Sequence, residues 1–218
     1  WADLQLLAWE KSYIRLLHGP GYEDAWHFLE AMYDPGEHLW IGRDVRDVKS
    51  DSVKTAAEWI ELTRRTKRAP GNHILPNPHI GRPMPSKRDG SPSWRTGASV
   101  SSCRFCVAEA DDLDLPTQLR VWLSLMDKGM PVAALVLSGR KSVHAWLAMG
   151  CRDADEWRRR VADQLFRGYL EPLGFDPAGA GLHQPFRLPG AWREETGQWQ
   201  KLLYQNPRVL REGGPAHG

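Results

Sequence analysis

Apolar residues recur at two different periods along this chain, and the changes of period mark out its elements. Ala25, Phe28, Leu29 and Met32 are spaced three and four apart, which places them on one face of a helix that ends near Asp34-Pro35-Gly36. His38-Leu39-Trp40-Ile41-Gly42 has strand character. A second helix follows, with Ser50 or Ser52 available as its N-cap and Val53, Ala57, Ile60 and Thr63 as its stripe. These elements predict a small αβ lobe over residues 1–70.

Residues 64–95 break the pattern. Pro70-Gly71, Asn77-Pro78, Arg82-Pro83 and Asp89-Gly90 interrupt any regular element, so the segment predicts a long loop. It carries Arg64, Arg65, Lys67, Arg68, Arg82, Lys87, Arg88 and Arg95 against the single acid Asp89, with Trp94 among them. Positive charge with an aromatic suits a single-stranded nucleic acid, and a solvated connector accounts for the same composition.

Regular periods resume at Arg104. Residues 104–111 read as a strand, and Leu115, Leu119, Trp122, Leu123 and Met126 form an amphipathic helix with Asp114 near its start. Residues 132–137 are an apolar run of strand length, and residues 143–149 alternate. Asp153 and Glu156 make a capping-box pattern that opens a helix with Trp157, Val161, Leu165 and Tyr169 on one stripe. Arg187 and residues 199–204 mark two further short strands. The order strand, helix, strand, strand, helix, strand predicts an α+β core over residues 71–218, a split βαβ, RRM-like sheet with helices on one face. Core and lobe together are expected to form one integrated domain.

Composition narrows the partners. The 218 residues carry a formal net charge of only +2, so any nucleic acid must be bound by a local basic surface rather than by bulk charge. Three cysteines, Cys103, Cys106 and Cys151, are too few and odd in number for a disulfide framework, which points to a reducing, cytoplasmic setting. No apolar run is long enough to span a bilayer, so no membrane partner is expected. The first residue is Trp1 rather than Met, which suggests a piece of a larger protein.

Candidate chemistry gathers at three places. Glu109 and Asp111 stand two apart on the expected strand, so both point to one face, and paired carboxylates there suit Mg²⁺ or Mn²⁺. A strand end turning into a helix cap at Asp112 or Asp114 is the plainer account of the same acids. Next, Ser138-Gly139-Arg140-Lys141-Ser142-Val143-His144 sets two cations, a hydroxyl and an imidazole around a glycine turn, a combination able to grip a triphosphate. Val143, Ala145, Leu147 and Met149 claim the core face, which leaves Ser142, His144 and Trp146 on the other and makes His144 no core histidine. Finally, Asp176 precedes a proline, as turn residues do, and Arg187 lies in an apolar stretch, as an ion-pair partner or a phosphate ligand.

Together these clusters resemble the three motifs of the archaeo-eukaryotic primase superfamily, in the form found in primase-polymerases of plasmids, phages and mobile elements. The acid-x-acid motif is Glu109-Ala110-Asp111, the Ser-x-His motif is Ser142-Val143-His144, and Asp176 and Arg187-Leu188-Pro189-Gly190 follow in order. The resemblance spans roughly Gly71 to Asn206. It implies a template-dependent nucleotidyltransferase, a DNA primase and DNA polymerase, that uses two divalent ions. Glu109, Asp111 and Asp176 would hold the metals, and Arg140, Ser142, His144 and Arg187 would contact the incoming nucleoside triphosphate. Single-stranded DNA template and primer are the implied partners, with a helicase domain elsewhere in the parent protein. Glu109 departs from the Asp that many members carry first in the acid pair. Zinc, bound by an insertion in some relatives, is not expected, because Cys103 and Cys106 are followed by no second Cys pair.

Two other classes compete. A metal-dependent nuclease of a replication initiator needs a His-x-His pair, and Ser142 occupies the position two before His144. A non-catalytic RRM-like module needs stacking aromatics on its sheet, where this chain has Glu109, Asp111 and His144.

Overall fold

The computed structural model describes residues 1–14, 19–45, 50–86 and 88–212, so Lys87 of the basic segment lies outside the described residues. Helices α1 (Ala2–Lys11) and α2 (Glu23–Met32) precede strands β1 (His38–Gly42) and β2 (Val53–Thr55), helix α3 (Ala56–Thr66) and strand β3 (His73–Ile74). A hairpin of β4 (Met84–Pro85) and β5 (Pro92–Ser93) leads to β6 (Cys103–Ala108), α4 (Leu115–Asp127), β7 (Val132–Leu137) and β8 (Val143–Cys151). Helix α5 starts over Ala154–Trp157 and continues over Arg158–Leu170. Strands β9 (Phe186–Arg187), β10 (Trp192–Arg193), β11 (Gln198–Trp199) and β12 (Lys201–Gln205) and helix α6 (Val209–Glu212) follow.

The central sheet has the order β12-β7-β8-β6, with every neighbouring pair antiparallel. Strands β6 and β7 are therefore parallel, with β8 between them and α4 crossing from one to the other. This is the split βαβ arrangement of the expected α+β fold. Both faces of the sheet are covered. Cys106, Ala108, Val143, Ala145 and Leu147 pack with Leu119, Trp122, Trp157 and Phe166 of α4 and α5. Phe105, Val107, Val136 and Trp146 pack with Phe28, Leu39, Ile41, Trp59 and Phe186. Trp146 meets Phe28 and Phe105 edge-on, with centroids 4.9 and 6.0 Å apart. The face assigned to Ser142, His144 and Trp146 is thus a second core, because the first lobe covers it. His144 is buried there at 3% exposure, contrary to the expectation from alternation alone.

A smaller sheet, β2-β1-β3-β9, takes strands from both sides of residue 70 and sets His73 of β3 opposite Arg187 of β9. Residues 64–95 are accordingly not one long loop: α3 runs to Thr66, β3 joins this sheet, and β4 pairs with β5. The cap of α3 is neither Ser50 nor Ser52 but Thr55. Its side chain accepts the Glu58 N–H, and Glu58 accepts the Thr55 N–H in return at 2.8 Å. That reciprocal pair fixes the start of the helix three residues later than a cap at Ser52 would. Val53 becomes a strand residue opposite Trp40, and the buried stripe is Ala56, Trp59 and Thr63.

Asp114 and Asp153 cap α4 and α5 as expected, each accepting a backbone N–H three residues on. Glu156 returns its bond to the N–H of Arg152 rather than of Asp153. The stripe of α5 departs from expectation beyond Val161. Trp157, Val161, Phe166 and Leu170 are buried, whereas Tyr169 is exposed and Leu165 only partly covered. Residues Arg158–Leu170 form a π-helix, and each i→i+5 turn carries an extra residue, which advances the buried positions by one. Among the described residues no helix is long and apolar enough to cross a membrane.

Candidate active site

Strand β6 ends at Ala108, three residues short of the expected Asp111. Ala110 is fully buried in the core below, so its neighbours Glu109 and Asp111 turn the other way and line one cavity of about 220 Å³. Arg140, Ser142, His144 and Arg187 line the same cavity, as does Lys141. The β7–β8 connection delivers the first group. Gly139 adopts φ 73°, and the turn closes through Ser138 N–H to Ser142 O at 2.9 Å and Ser142 N–H to the Ser138 hydroxyl at 3.2 Å.

Gln118 of α4, fully buried, holds this turn in place. Its side-chain amide donates to Lys141 O at 2.8 Å and Leu113 O at 2.6 Å, and its carbonyl accepts the Val143 N–H at 2.7 Å. One side chain thereby ties the glycine turn to the segment that follows the acid pair. A lone glutamine on a helix face gives no sign of this in the sequence.

Of the two carboxylates in the cavity wall, Glu109 is the more buried. Its Oε2 lies 2.7 Å from His144 Nε2 and accepts from the Ser142 hydroxyl at 3.4 Å. Burial pushes the Glu109 carboxyl up, but hydrogen bonds and charge from His144, with smaller contributions from Ser142 and Arg187, outweigh it and hold the group below the ordinary carboxylate range. Asp111 sits further out, 3.0 Å from Lys141 Nζ, with both side chains about half exposed. Such a pair contributes little to stability.

Arg187 is half-buried, and burial followed by repulsion from Arg193 lowers its pKa, with Glu195 and Glu109 pulling the other way. It stays charged, since a guanidinium starts far above neutrality. His73 beside it is brought down to about 4, by burial first and then by Arg187, so its ring is neutral at pH 7. His73 and Arg193 line the cavity without having been expected there, and Ser138 of the glycine turn lines it with them. His73 reaches it through the long-range β3–β9 pairing, and Arg193 through the β10–β11 hairpin, which docks on the β7–β8 turn. Four cationic side chains, Arg140, Lys141, Arg187 and Arg193, thus share the wall with two carboxylates, Glu109 and Asp111.

Asp176 is brought near but not in. Its N–H donates to Glu109 O at 2.8 Å, while its carboxylate accepts the Ala178 N–H at 2.8 Å and caps the short helix Pro177–Ala180. The side chain is exposed and is not part of the cavity wall. This loop can approach β6 because of Gly179, where a Cβ would stand 2.2 Å from Val107 O. Among the described residues no three His, Cys, Asp or Glu side chains are gathered for a metal ion. Glu109 and Asp111 nonetheless fit Mg²⁺ or Mn²⁺, hard cations commonly held by one or two carboxylates together with phosphate oxygens. The three thiols are free and belong to the core away from the cavity, with Cys103 opposite Cys151 across β6 and β8.

In the basic segment, Trp94 stacks on His79 at 5.9 Å and Arg95 lies 5.8 Å over Trp40, while Arg82 and Arg88 remain exposed.

No protein-family model matches this chain, and no curated protein matches its sequence. Solved structures do match. The AEP domain of the primase-polymerase (PrimPol) of cyanophage S-2L is 19% identical, with a TM-score of 0.51 over 91% of this chain and 100% of that one. The catalytic domain of primase RepB′, solved in complex with initiator DNA, is 18% identical, with a TM-score of 0.50 over 88% of this chain and 92% of that one. A second structure of primase RepB′ gives the same identity and TM-score over 88% of this chain and 61% of that one. The chain has the fold of these AEP-type domains.

Proposed function

We propose that this chain is the catalytic domain of a primase-polymerase, a nucleotidyltransferase that joins nucleoside triphosphates on a single-stranded DNA template. The observation that carries the reading is one cavity lined by both polarities: the carboxylates of Glu109 and Asp111 and the guanidiniums of Arg140 and Arg187, together with the buried Ser142 and His144. A nucleoside triphosphate with its metal presents the complementary pattern, cation and polyanion side by side. The AEP-type fold supports the same reading.

Glu109 and Asp111 would hold the divalent cation, with Asp176 as the third acid on the adjoining loop. Such a cation, when bound, would supply charge neutralisation of the triphosphate and would lower the pKa of the attacking hydroxyl. The chain's own residues do the rest. His144 fixes the Glu109 carboxylate through its 2.7 Å contact with Oε2. Ser142, with its hydroxyl between Glu109 and His144, offers a donor to a phosphate oxygen. Arg187 and Arg140 grip the phosphates by charge-assisted hydrogen bonds, and a guanidinium can take two oxygens at once. The exposed Arg82 and Arg88 would track the template backbone.

The test is incubation of the domain with Mn²⁺ or Mg²⁺, labelled nucleotides and a single-stranded template, with and without primer. Template-directed products that vanish with Asp111→Ala are expected. Cleavage of the template in place of synthesis would refute the proposal and favour a nuclease.

A further inference from the structure

Cys103 and Cys151 stand directly opposite each other across strands β6 and β8. Residues so paired in an antiparallel sheet send their side chains to the same face, with Cα atoms about 4.5–5.5 Å apart. A disulfide needs Cα atoms about 4.4–6.8 Å apart, so the backbone already holds this pair within bonding reach. Both belong to the core between the sheet and helices α4 and α5, and both are free thiols. Cys106 is no rival partner. It lies opposite Leu147, three residues along β6 from Cys103 and four along β8 from Cys151, and about 10 Å of strand is beyond the span of a disulfide.

The pair is also within reach of a small solute. A cavity of about 300 Å³, separate from the candidate active site, is lined by both thiols together with Arg104, Ala148, Val209 and Leu210. Cys103 is partly exposed there, while Cys151 is buried at 7% exposure. A water molecule takes up about 30 Å³ in the liquid, and hydrogen peroxide is little larger, so the cavity admits it. Burial, followed by the charge of Asp153, raises the Cys103 thiol. A raised thiol holds less thiolate, which slows oxidation and keeps the pair reduced until oxidant is plentiful.

We propose that Cys103 and Cys151 form a peroxide-responsive dithiol whose oxidation closes a reversible disulfide between β6 and β8. The Cys103 sulfur attacks one oxygen of hydrogen peroxide and the O–O bond breaks. The departing hydroxide takes the thiol proton and leaves as water, and Cys103 becomes a sulfenic acid. The Cys151 sulfur then attacks the Cys103 sulfur and the S–O bond breaks. The second hydroxide leaves with the Cys151 proton as a second water, and the S–S bond forms. The two thiols have lost two electrons to the peroxide. Strand β6 leads into Glu109 and β8 carries His144, so the bond ties together, from their far ends, the two strands that support the cavity's acid and its histidine. It also closes the long stretch of chain between residues 103 and 151, which restricts the unfolded state. The staple is independent of the nucleotidyltransferase reading.

The experiment treats the whole chain, reduced and then freed of reductant, with hydrogen peroxide, and reads free thiols after denaturation, intact mass, a peptide map and the melting temperature. The thiol count should fall from three to one, and the mass should drop by two hydrogens. A peptide containing Cys103 should be found linked to one containing Cys151. The melting temperature should rise by about 5–10 °C, and dithiothreitol should reverse every change. Cys103→Ser, at a partly exposed position, should abolish the linkage and the thermal gain, whereas Cys106→Ala should keep both. The wild-type peptide map requires no variant and decides should either variant fail to fold. The proposal is overturned if all three thiols persist, if oxygen is added without any linkage, if the bond involves Cys106 or joins two chains, or if the linked form melts no higher than the reduced one.

Discussion

Replacing Arg187 by lysine separates a nucleotide ligand from a structural ion pair, because the substitution keeps the charge and removes the fork. In the folded chain Arg187 is half-buried, its strongest charged neighbour is the repelling Arg193, and the attraction from Glu195 and Glu109 is the smaller influence. A lysine there would lose no strong ion pair, so the melting temperature should stay within about 2 °C of wild type. Toward substrate the loss is larger. A guanidinium grips two phosphate oxygens where an ammonium is a single point charge, and one charge-assisted hydrogen bond is worth about 1.5–2 kcal/mol. The KM for the incoming nucleotide should therefore rise by about 10- to 30-fold. If the contact is equal in ground and transition states, kcat should change by less than about threefold. The assay is steady-state primer extension over a range of nucleotide concentrations, paired with thermal denaturation of the same preparation. An unchanged KM, or a loss of activity that tracks a falling melting temperature, would remove Arg187 from the nucleotide site.

Asp111→Ala should abolish nucleotide incorporation while the melting temperature barely moves, since its ion pair with Lys141 is half exposed; circular dichroism and primer extension on one sample check both halves. Glu109 binds its proton less readily folded than unfolded, so its contribution to stability is present above the ordinary carboxylate range and lost as pH falls through its lowered folded value. Glu109→Gln should accordingly flatten the acid limb of a stability-versus-pH curve, and an unaltered limb would contradict the depressed pKa. Neutralising Arg82, Lys87 and Arg88 together should weaken single-stranded DNA binding and reduce its salt slope, measured by fluorescence anisotropy between low and moderate salt. In α5, Phe166→Ala should cost about 3–5 kcal/mol and Leu165→Ala much less, by urea denaturation; the reverse ranking would place the helix back in an α-helical register.

What the sequence determined by itself is whatever depends on neighbours within a few positions. Asp114 and Asp153 cap helices because a side-chain oxygen and an N–H three residues on are brought together by the chain locally. The strand pattern of residues 132–137 and 143–149, the glycine turn between them and the order strand, helix, strand, strand, helix, strand were legible for the same reason. So was the shared face of Glu109 and Asp111, although the strand itself stops at Ala108. Local rules erred where two local options competed, as when Thr55 with Glu58 displaced Ser50 and Ser52 at the start of α3. They erred again where a period was assumed, since a π-helix moves Phe166 and Leu170 into the core in place of Leu165 and Tyr169. Tertiary structure alone decided the rest. His144 is buried because a lobe distant in sequence covers the second face of the sheet, and alternation within a strand says nothing about what lies across it. His73 and Arg193 reach the cavity through strand pairs whose partners are over a hundred residues away or through a hairpin docked on another turn, and Gln118 through hydrogen bonds to backbone groups that carry no side-chain signature. Non-local contacts of this kind are fixed by the packing of the whole chain, which no window along the sequence contains.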